Sequence, residues 1–190
     1  QASRVAAGAS PRALIADIFS GYMATFTMIH DIACGTETFW KVFFDKEFSE
    51  TLFLKNIGFS KWVLLEQRET ETEIIRRIEG IPKMDVPAPV AKVLGPGFGY
   101  SEEGTYDKKT GIYKYALKTT VMADKLKNGG SVRVEKVTDT SCRRIVDIYA
   151  EAKVFGIGGL IEANFEKSFR EGWQTGAEFF NKWVKEKGLV

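Results

Sequence analysis

Between residues 59 and 154, apolar and polar positions alternate with a period of two, which is the spacing of a β-strand with one buried face. This alternation predicts six strands, which cover 59–69, 72–82, 97–107, 111–123, 131–138 and 142–154. The stretch from Asp107 to Gly111 and the sequence Asn128-Gly129-Gly130 are predicted hairpin turns. The pattern therefore indicates an antiparallel sheet with one face turned to the core.

Two of the predicted strands show which side chains face the interior. Tyr113, Tyr115 and Leu117 share one face of their strand, with Lys114 and Lys118 on the other. The next strand repeats the pattern, with Val146, Ile148, Ala150 and Ala152 opposite Asp147, Glu151 and Lys153. The small alanine side chains leave room above the sheet for a helix or a ligand.

Apolar positions return at helical spacing on both sides of this region. A first strand over 24–33 is followed by a helix that begins at Thr36 and by a second helical piece over about 46–56. From about 158 to 187 the sequence predicts one helix of roughly 30 residues. Its apolar face carries Ile161, Phe165, Phe169, Trp173, Phe180 and Trp183. We expect this long helix to pack on the apolar face of the sheet.

Prolines interrupt the strand pattern between residues 82 and 97. Because proline cannot donate to a strand ladder, this segment is predicted to be a loop with a short helix from Val90 to Leu94. Several apolar residues lie among the prolines and glycines of 84–99. We expect this loop to act either as a gate over an interior cavity or as a point of peripheral contact with a membrane.

Residues 1–22 are predicted to form an arm that is separate from a folded domain over 23–190. Pro11 to Phe19 predict one short amphipathic helix, which would be ordered only by docking on its own domain or on a partner protein. Residues 1–16 contain no acid and many Ala and Ser, so they resemble the end of an organellar targeting segment, and a plain linker explains them equally well. Deleting the arm is expected to leave the domain folded and to weaken a partner interaction.

Composition limits the class of protein. A chain of 190 residues suits one domain, and a net charge of +2 does not favour a nucleic-acid partner. Aromatic residues form 13% of the chain, which indicates a large apolar interior or a lined cavity. No apolar run is long enough to span a bilayer. The sequence does not decide between an organelle (plastid or mitochondrion) and the cytoplasm as the compartment of this protein. Cys34 and Cys142 are expected to be buried thiols.

Candidate catalytic and metal-ligating residues are few. His30 is the only histidine, which argues against a Ser-His-Asp set and against a zinc or iron site, and no cofactor is expected. Replacing His30 by Ala is expected to change stability and to remove no chemistry. Arg76 and Arg77 are adjacent in one strand and Glu102 and Glu103 in another, so one residue of each pair must face inward. An inward pair is expected either to bridge the sheet or to orient a ligand head group.

The order of elements resembles a known fold. The stretch FTMIHDIACGTETFWKVFFDKEFSETL gives a strand, a turn of small residues, an aromatic amphipathic helix and a second short helix. The stretch PAPVAKVLGPGFGYSEEGTYDKKTGIYKY gives a proline-rich crossing before a strand with acidic and aromatic positions. Residues 24–187 thereby resemble the START-like (SRPBCC, helix-grip) proteins, and in particular their uncharacterised START-related domains. The resemblance implies an α+β fold in which a curved antiparallel β-sheet wraps around a long C-terminal helix.

The resemblance also implies an internal cavity between the sheet and the long helix, which would bind or transport an apolar small molecule such as a lipid, sterol or pigment. The residues expected to line it are Tyr113, Tyr115, Leu117, Val146, Ile148, Phe165, Phe169, Gly172, Trp173 and Gly176. Trp173 and Phe169 are expected to contact Tyr115 or Leu117 across the interior. One alternative is a non-catalytic subunit or assembly factor with a filled interior. Another is an enzyme of the cyclase or hydratase type that would rely on His30, Glu102 and Tyr115.

Overall fold

The computed structural model describes residues 23–190, so the predictions made for the arm of residues 1–22 lie outside it. The elements, in chain order, are β1 (Met23–Ile32), α1 (Thr36–Phe43), α2 (Lys46–Thr51), a π-helical segment (Leu52–Ile57), β2 (Lys61–Glu69), β3 (Glu73–Ile81), α3 (Ala88–Leu94), β4 (Tyr100–Asp107), β5 (Ile112–Thr119), β6 (Leu126–Thr138), β7 (Ser141–Ala152) and α4 (Gly158–Glu186).

The strands form one antiparallel sheet of seven strands in the order β1-β7-β6-β5-β4-β3-β2. The sheet is curved, and the 29-residue helix α4 lies on its concave face, where it packs against β1, β7 and the π-helical segment. Short loops join the strands from β4 to β7, so neighbours in the sequence are neighbours in the sheet. The predicted α+β helix-grip fold is confirmed.

One predicted turn is wrong. The sequence Asn128-Gly129-Gly130 lies inside β6, and the chain reverses between β5 and β6 at residues 120–125 instead. A Cβ atom on Gly129 would lie 2.6 Å from the carbonyl oxygen of Tyr115, and one on Gly130 would lie 2.2 Å from that of Asp147. The two glycines are therefore needed where neighbouring strands approach each other closely in the curved sheet. Glycine inside a strand often marks such a close approach of another backbone segment.

Buried apolar side chains form two clusters on the concave face. The first lies beneath α1 and α2 and against the C-terminal half of α4, and it includes Phe39, Phe48, Tyr113, Val132, Val146 and Phe180. The second lies at the opposite end, beneath α3, and consists of Val90, Leu94, Phe98, Leu126, Ala152 and Ile161. The first cluster contains both cysteines, which are free thiols as expected.

The proline-rich loop contains the predicted short helix, now α3 from Ala88 to Leu94. Its apolar residues Val90, Leu94 and Phe98 are buried in the second cluster. They therefore cover the end of the sheet, and contact between them and a membrane would require the loop to open. Among the described residues, no helix is long and apolar enough to cross a membrane.

Candidate functional site

The middle of the concave face has a different character from its ends. Strand pairing places Asn128 of β6 beside Leu117 of β5, and Leu117 beside Glu102 of β4. Cross-strand neighbours of this kind have Cβ atoms about 5 Å apart and share one face of the sheet. We call the inward residues at this level the central band, and its members are Tyr100, Glu102, Tyr115, Leu117 and Asn128.

Glu102 is held by a tyrosine from the neighbouring strand. The Tyr113 hydroxyl donates a hydrogen bond of 2.6 Å to Glu102 Oε1. To do so the Tyr113 ring lies across Gly104, where a Cβ atom would come within 1.9 Å of the Tyr113 hydroxyl oxygen. Glycine at position 104 is therefore what allows this tyrosine to reach the carboxyl group.

Two polar groups of the central band have no hydrogen-bond partner among the described residues. The Tyr115 hydroxyl and the Asn128 Oδ1 atom are both enclosed, with Tyr115 9% and Asn128 4% exposed. An enclosed polar group without a partner costs about 1–3 kcal/mol, so native proteins rarely keep one without a reason. These two atoms therefore mark the central band as a candidate binding site.

Tyr100 and Glu102 are half-buried side chains of the central band. Desolvation is the largest cause that raises the pKa of each, and for Glu102 it outweighs the Tyr113 hydrogen bond and the Arg76 charge, which lower its pKa. Both side chains nevertheless keep accessible surface.

Helix α4 faces the central band with Phe169 and Trp173, and both pack against the first apolar cluster, which includes Tyr115. The indole N–H of Trp173 approaches the Tyr115 hydroxyl as a donor and thereby lowers its pKa, although burial, the largest cause, raises that pKa well above its usual value. The approach does not reach hydrogen-bond geometry, so the hydroxyl is without a partner in that stricter sense. Trp173 is thus placed across the interior from β5, in agreement with the contact predicted from the sequence.

Most of the residues expected to line a cavity lie together on this side of the interior. Those within or packed against the first cluster are Tyr113, Tyr115, Leu117, Val146, Ile148, Phe169 and Trp173. Phe165 packs against the second cluster instead. A Cβ atom on Gly172 would meet no other atom within 4 Å, whereas one on Gly176 would meet Leu52 at 3.8 Å and Arg144 at 3.9 Å. Close packing therefore does not explain Gly172.

Two buried arginines flank the site. Arg76 donates to the Phe43 carbonyl oxygen at 3.0 Å and to Ser49 Oγ at 2.8 Å, so it joins the sheet to the helices and forms no ion pair with Glu102 among the described residues. Arg144 donates to the Trp173 carbonyl oxygen at 2.7 Å, with its guanidinium 4.9 Å from the centre of the Trp173 ring. Burial lowers the pKa of Arg144 to about 9, which leaves it charged at neutral pH.

His30 does not join the central band. It lies on the edge strand β1 and pairs with Arg144 of β7, with β7 and β6 between it and β5. Burial first and the Arg144 charge second lower the pKa of His30 to about 4, so it is neutral near pH 7. The three residues named as acid–base candidates from the sequence therefore do not meet at one place. No group of three His, Cys, Asp or Glu residues within 23–190 is arranged to hold a metal ion.

Two open grooves lie on the surface of the described region. One runs between β1 and α4 and is bordered by Thr27, His30, Arg170 and Glu178. The other lies at the corner between β7 and α4, beside the fully exposed Phe155. Neither groove is lined by any residue that was predicted to contact a ligand.

Comparison with known families bears directly on this chain. Residues 27–184 match the family described as "Protein of unknown function (DUF2505)". The chain belongs to this family. No curated protein matches this member of the DUF2505 family in sequence.

Solved structures identify the fold of this DUF2505 chain as that of START-like proteins. It is similar to the Zhui aromatase/cyclase from Streptomyces sp. R1128, with a TM-score of 0.61 and 13% identity over 87% of this chain and 96% of that chain. It is also similar to norcoclaurine synthase from Thalictrum flavum, with a TM-score of 0.59 and 14% identity over 98% and 99%. A START superfamily protein from Mycobacterium smegmatis gives 0.52 and 15% identity over 87% and 99%. At these identities the likeness shows the fold alone.

Sequence reasoning missed two inward polar residues of this DUF2505 chain. Asn128 was assigned to a turn, although Leu126, Asn128 and Val132 would have shared a face if the alternation of β6 had been extended backwards. Arg144 lies between Cys142 and Val146 on the buried face of β7. The alternation of this strand therefore predicts that its side chain faces inward. The alternation of inward positions was present in both strands. It was missed because Asn-Gly-Gly is typical of a turn and because a charged Arg is rarely expected on a buried face.

Proposed function

We propose that this protein binds an apolar small molecule between the sheet and α4, at the central band, and that it does not catalyse a reaction. The observation that carries the proposal is the pair of enclosed polar atoms, Tyr115 hydroxyl and Asn128 Oδ1, which have no partner within residues 23–190. A bound molecule with a polar group would supply the missing partner, while its apolar part would contact the aromatic side chains of α4.

The distribution of the core supports this position. Along β6, Leu126 belongs to one apolar cluster and Val132 to the other, and Asn128 lies between them in neither. Leu117, Phe169 and Trp173 pack against the first cluster and remain only partly buried. Interiors of proteins are normally close-packed, so partly accessible inward side chains favour a ligand site over a filled core at this level.

The proposal that the protein is not an enzyme rests on the positions of the acid–base candidates. Glu102 and Tyr115 lie on neighbouring strands, but the neutral His30 is at the edge of the sheet, beside a positive charge. General acid–base chemistry needs its groups within hydrogen-bond reach of one reacting molecule. Two structural neighbours are named as an aromatase/cyclase and a synthase. An enzymatic role is therefore the outcome that the experiment below must exclude.

A second candidate function is that of a non-catalytic subunit of a larger complex. It is favoured by the fully exposed Phe155, a large apolar side chain beside an open groove. A subunit of this kind would need no ligand, and its apolar surface would be covered by a partner. Residues 84–99 would then be a fixed cover over the sheet and not a gate.

Native mass spectrometry of the purified protein tests these alternatives. Ligand binding predicts a co-purifying small molecule that is released on denaturation and is lost in a variant in which Trp173 is replaced by Ala. The outer-face variant Tyr149→Phe serves as the control and should keep the molecule. An empty protein in all preparations would contradict the proposal. Conversion of the bound molecule into a product on incubation would contradict the non-enzymatic part of it.

A further inference from the structure

We infer that the central band recognises a neutral hydroxyl group on the bound molecule, through Tyr115, Asn128 and Glu102. This inference rests on the proposed function, since it names the chemical class of the ligand at the same site. It begins from two polar side chains that are at least nine-tenths buried, face the interior and lack a partner among the described residues.

The three groups come from three adjacent strands, β4, β5 and β6, and share the inward face of the sheet. Tyr115 pairs with Gly130, and a Cβ atom on that glycine would lie 3.0 Å from the Tyr115 hydroxyl oxygen. The hydroxyl therefore leans towards β6, over a residue that shares its face with Asn128 two positions away. Glu102 is on the other side of Leu117 from Asn128, and only its Oε1 atom has a hydrogen-bond partner within residues 23–190.

A hydroxyl group matches this set of donors and acceptors. The Tyr115 hydroxyl can donate one hydrogen bond, while Asn128 Oδ1 and the second oxygen of Glu102 accept. A ligand hydroxyl accepts from the first and donates to one of the others. If the Asn128 amide is rotated so that nitrogen takes the place of oxygen, the ligand hydroxyl accepts there and donates to Tyr115 or Glu102 instead, because a hydroxyl has both capacities.

Charged ligand groups fit the central band less well. A carboxylate would lie beside Glu102 and would be repelled by it. The pKa of Glu102 is already raised by burial, which shows that this location disfavours negative charge. The Arg76 charge on the same face opposes a cationic group, and its guanidinium is already bonded to Phe43 and Ser49. A neutral polar group attached to an apolar body is the class that remains.

Isothermal titration calorimetry with three probes of one shape tests the inference: naphthalene, 2-naphthol and 2-naphthoate. We expect 2-naphthol to bind the full chain at least about tenfold more tightly than naphthalene, because each enclosed polar group that gains a partner adds a hydrogen bond. The carboxylate should bind more weakly than the alcohol. Tyr115→Phe combined with Asn128→Leu should remove the preference for the alcohol, because the variant lacks both enclosed polar groups.

The outcomes separate this inference from the proposed function. If wild-type protein binds naphthalene and 2-naphthol equally well, a bound water already satisfies the three groups and the hydroxyl site is refuted, while ligand binding stands. If the carboxylate binds most tightly, the ligand class is wrong. If no probe binds and native mass spectrometry finds the protein empty, the proposed function itself fails. The control Tyr149→Phe removes a hydroxyl from the outer face and should leave all three affinities unchanged. If the double variant does not fold, the comparison of the three probes on wild-type protein still decides the question.

Discussion

Two levels of the same concave face, four residues apart along β5, differ in their packing. At the level of Tyr113, the neighbours Val132 and Val146 are completely buried and the helices α1 and α2 cover them. At the level of Leu117, the neighbours are the buried Asn128 and the half-buried Glu102, and Leu117 itself is half-buried. The alternating strand β5 therefore contributes residues both to the core and to the candidate site. The elements that cover the sheet decide which of the two levels is core.

The difference has a physical origin in what lies above the sheet. Phe39 of α1 stacks on Phe180 of α4 with ring centres 5.0 Å apart, and Phe48 of α2 packs on Phe180 at the same distance. These aromatic contacts cover the β6 and β7 side of the first level, while Tyr106, the β4 neighbour of Tyr113, remains half-buried. On α4, Phe169 packs against the same cluster and is only partly buried, and a Cβ atom on Gly172 would meet no other atom within 4 Å. Less cover is the reason why Leu117 and Glu102 stay half-buried.

The largest expected effect is a loss of stability caused by a substitution above the level of Tyr113. Phe39→Ala should lower the free energy of unfolding by about 3–5 kcal/mol, because the 0% exposed ring leaves a cavity that its neighbours cannot fill. Leu117→Ala is the matched variant at the level of Leu117. It should lower the free energy of unfolding by roughly 1–2 kcal/mol, because it enlarges a space that is already accessible. Urea unfolding measures both. Equal losses would show that the two levels are packed alike.

A second pair of variants tests the glycines. Gly104→Ala should destabilise the protein by about 1–3 kcal/mol, because the new Cβ atom would lie 1.9 Å from the Tyr113 hydroxyl and force that ring to move. Gly172→Ala should stabilise it by up to roughly 1 kcal/mol, because alanine favours the helix and meets nothing there. Both are read from urea unfolding curves. A destabilising Gly172→Ala would mean that α4 packs more closely on its surroundings than described.

A third pair compares two neighbouring tyrosine hydroxyls. Tyr113→Phe should cost about 1–2 kcal/mol, because it removes the donor to Glu102 and leaves a buried carboxyl oxygen without it. Tyr115→Phe should change stability by less than about 0.5 kcal/mol or raise it slightly, because its hydroxyl has no partner to lose among the described residues. Thermal unfolding in the absence of ligand measures both. A large loss for Tyr115→Phe would place a partner on that hydroxyl and weaken the case for a ligand site.

The smallest expected effect concerns pH and lies outside both levels. The folded pKa of His30, about 4, is below its unfolded value of about 6.5, so protonation favours the unfolded state. The stability contributed by neutral His30 is complete above about pH 6.5 and is lost as the pH falls towards 4. His30→Gln should therefore lose less stability than wild type between pH 7 and pH 4.5, by roughly 1 kcal/mol after allowance for partial exposure. Parallel urea midpoints in the two proteins would refute the buried neutral state of His30.

The sequence by itself determined the order of elements and the inward face of most strands. Alternation placed Tyr113, Tyr115 and Leu117 on one face, and helical spacing placed Phe169 and Trp173 opposite them, because periods of two and 3.6 are fixed by backbone geometry. These local rules needed no knowledge of the neighbours. They also explain why the predicted long helix begins and ends within a residue of α4.

Tertiary structure alone decided the rest. Asn128-Gly129-Gly130 has the local chemistry of a turn, yet it lies in β6, because the curved sheet brings the carbonyl oxygens of Tyr115 and Asp147 too close for any side chain at the glycines. Whether an inward polar group finds a partner also depends on distant strands: Tyr113 bonds to Glu102 across Gly104, and the Tyr115 hydroxyl, two residues later, completes no hydrogen bond within 23–190. Such outcomes depend on distances of tenths of an ångström between segments far apart in the chain, which no spacing along the sequence encodes.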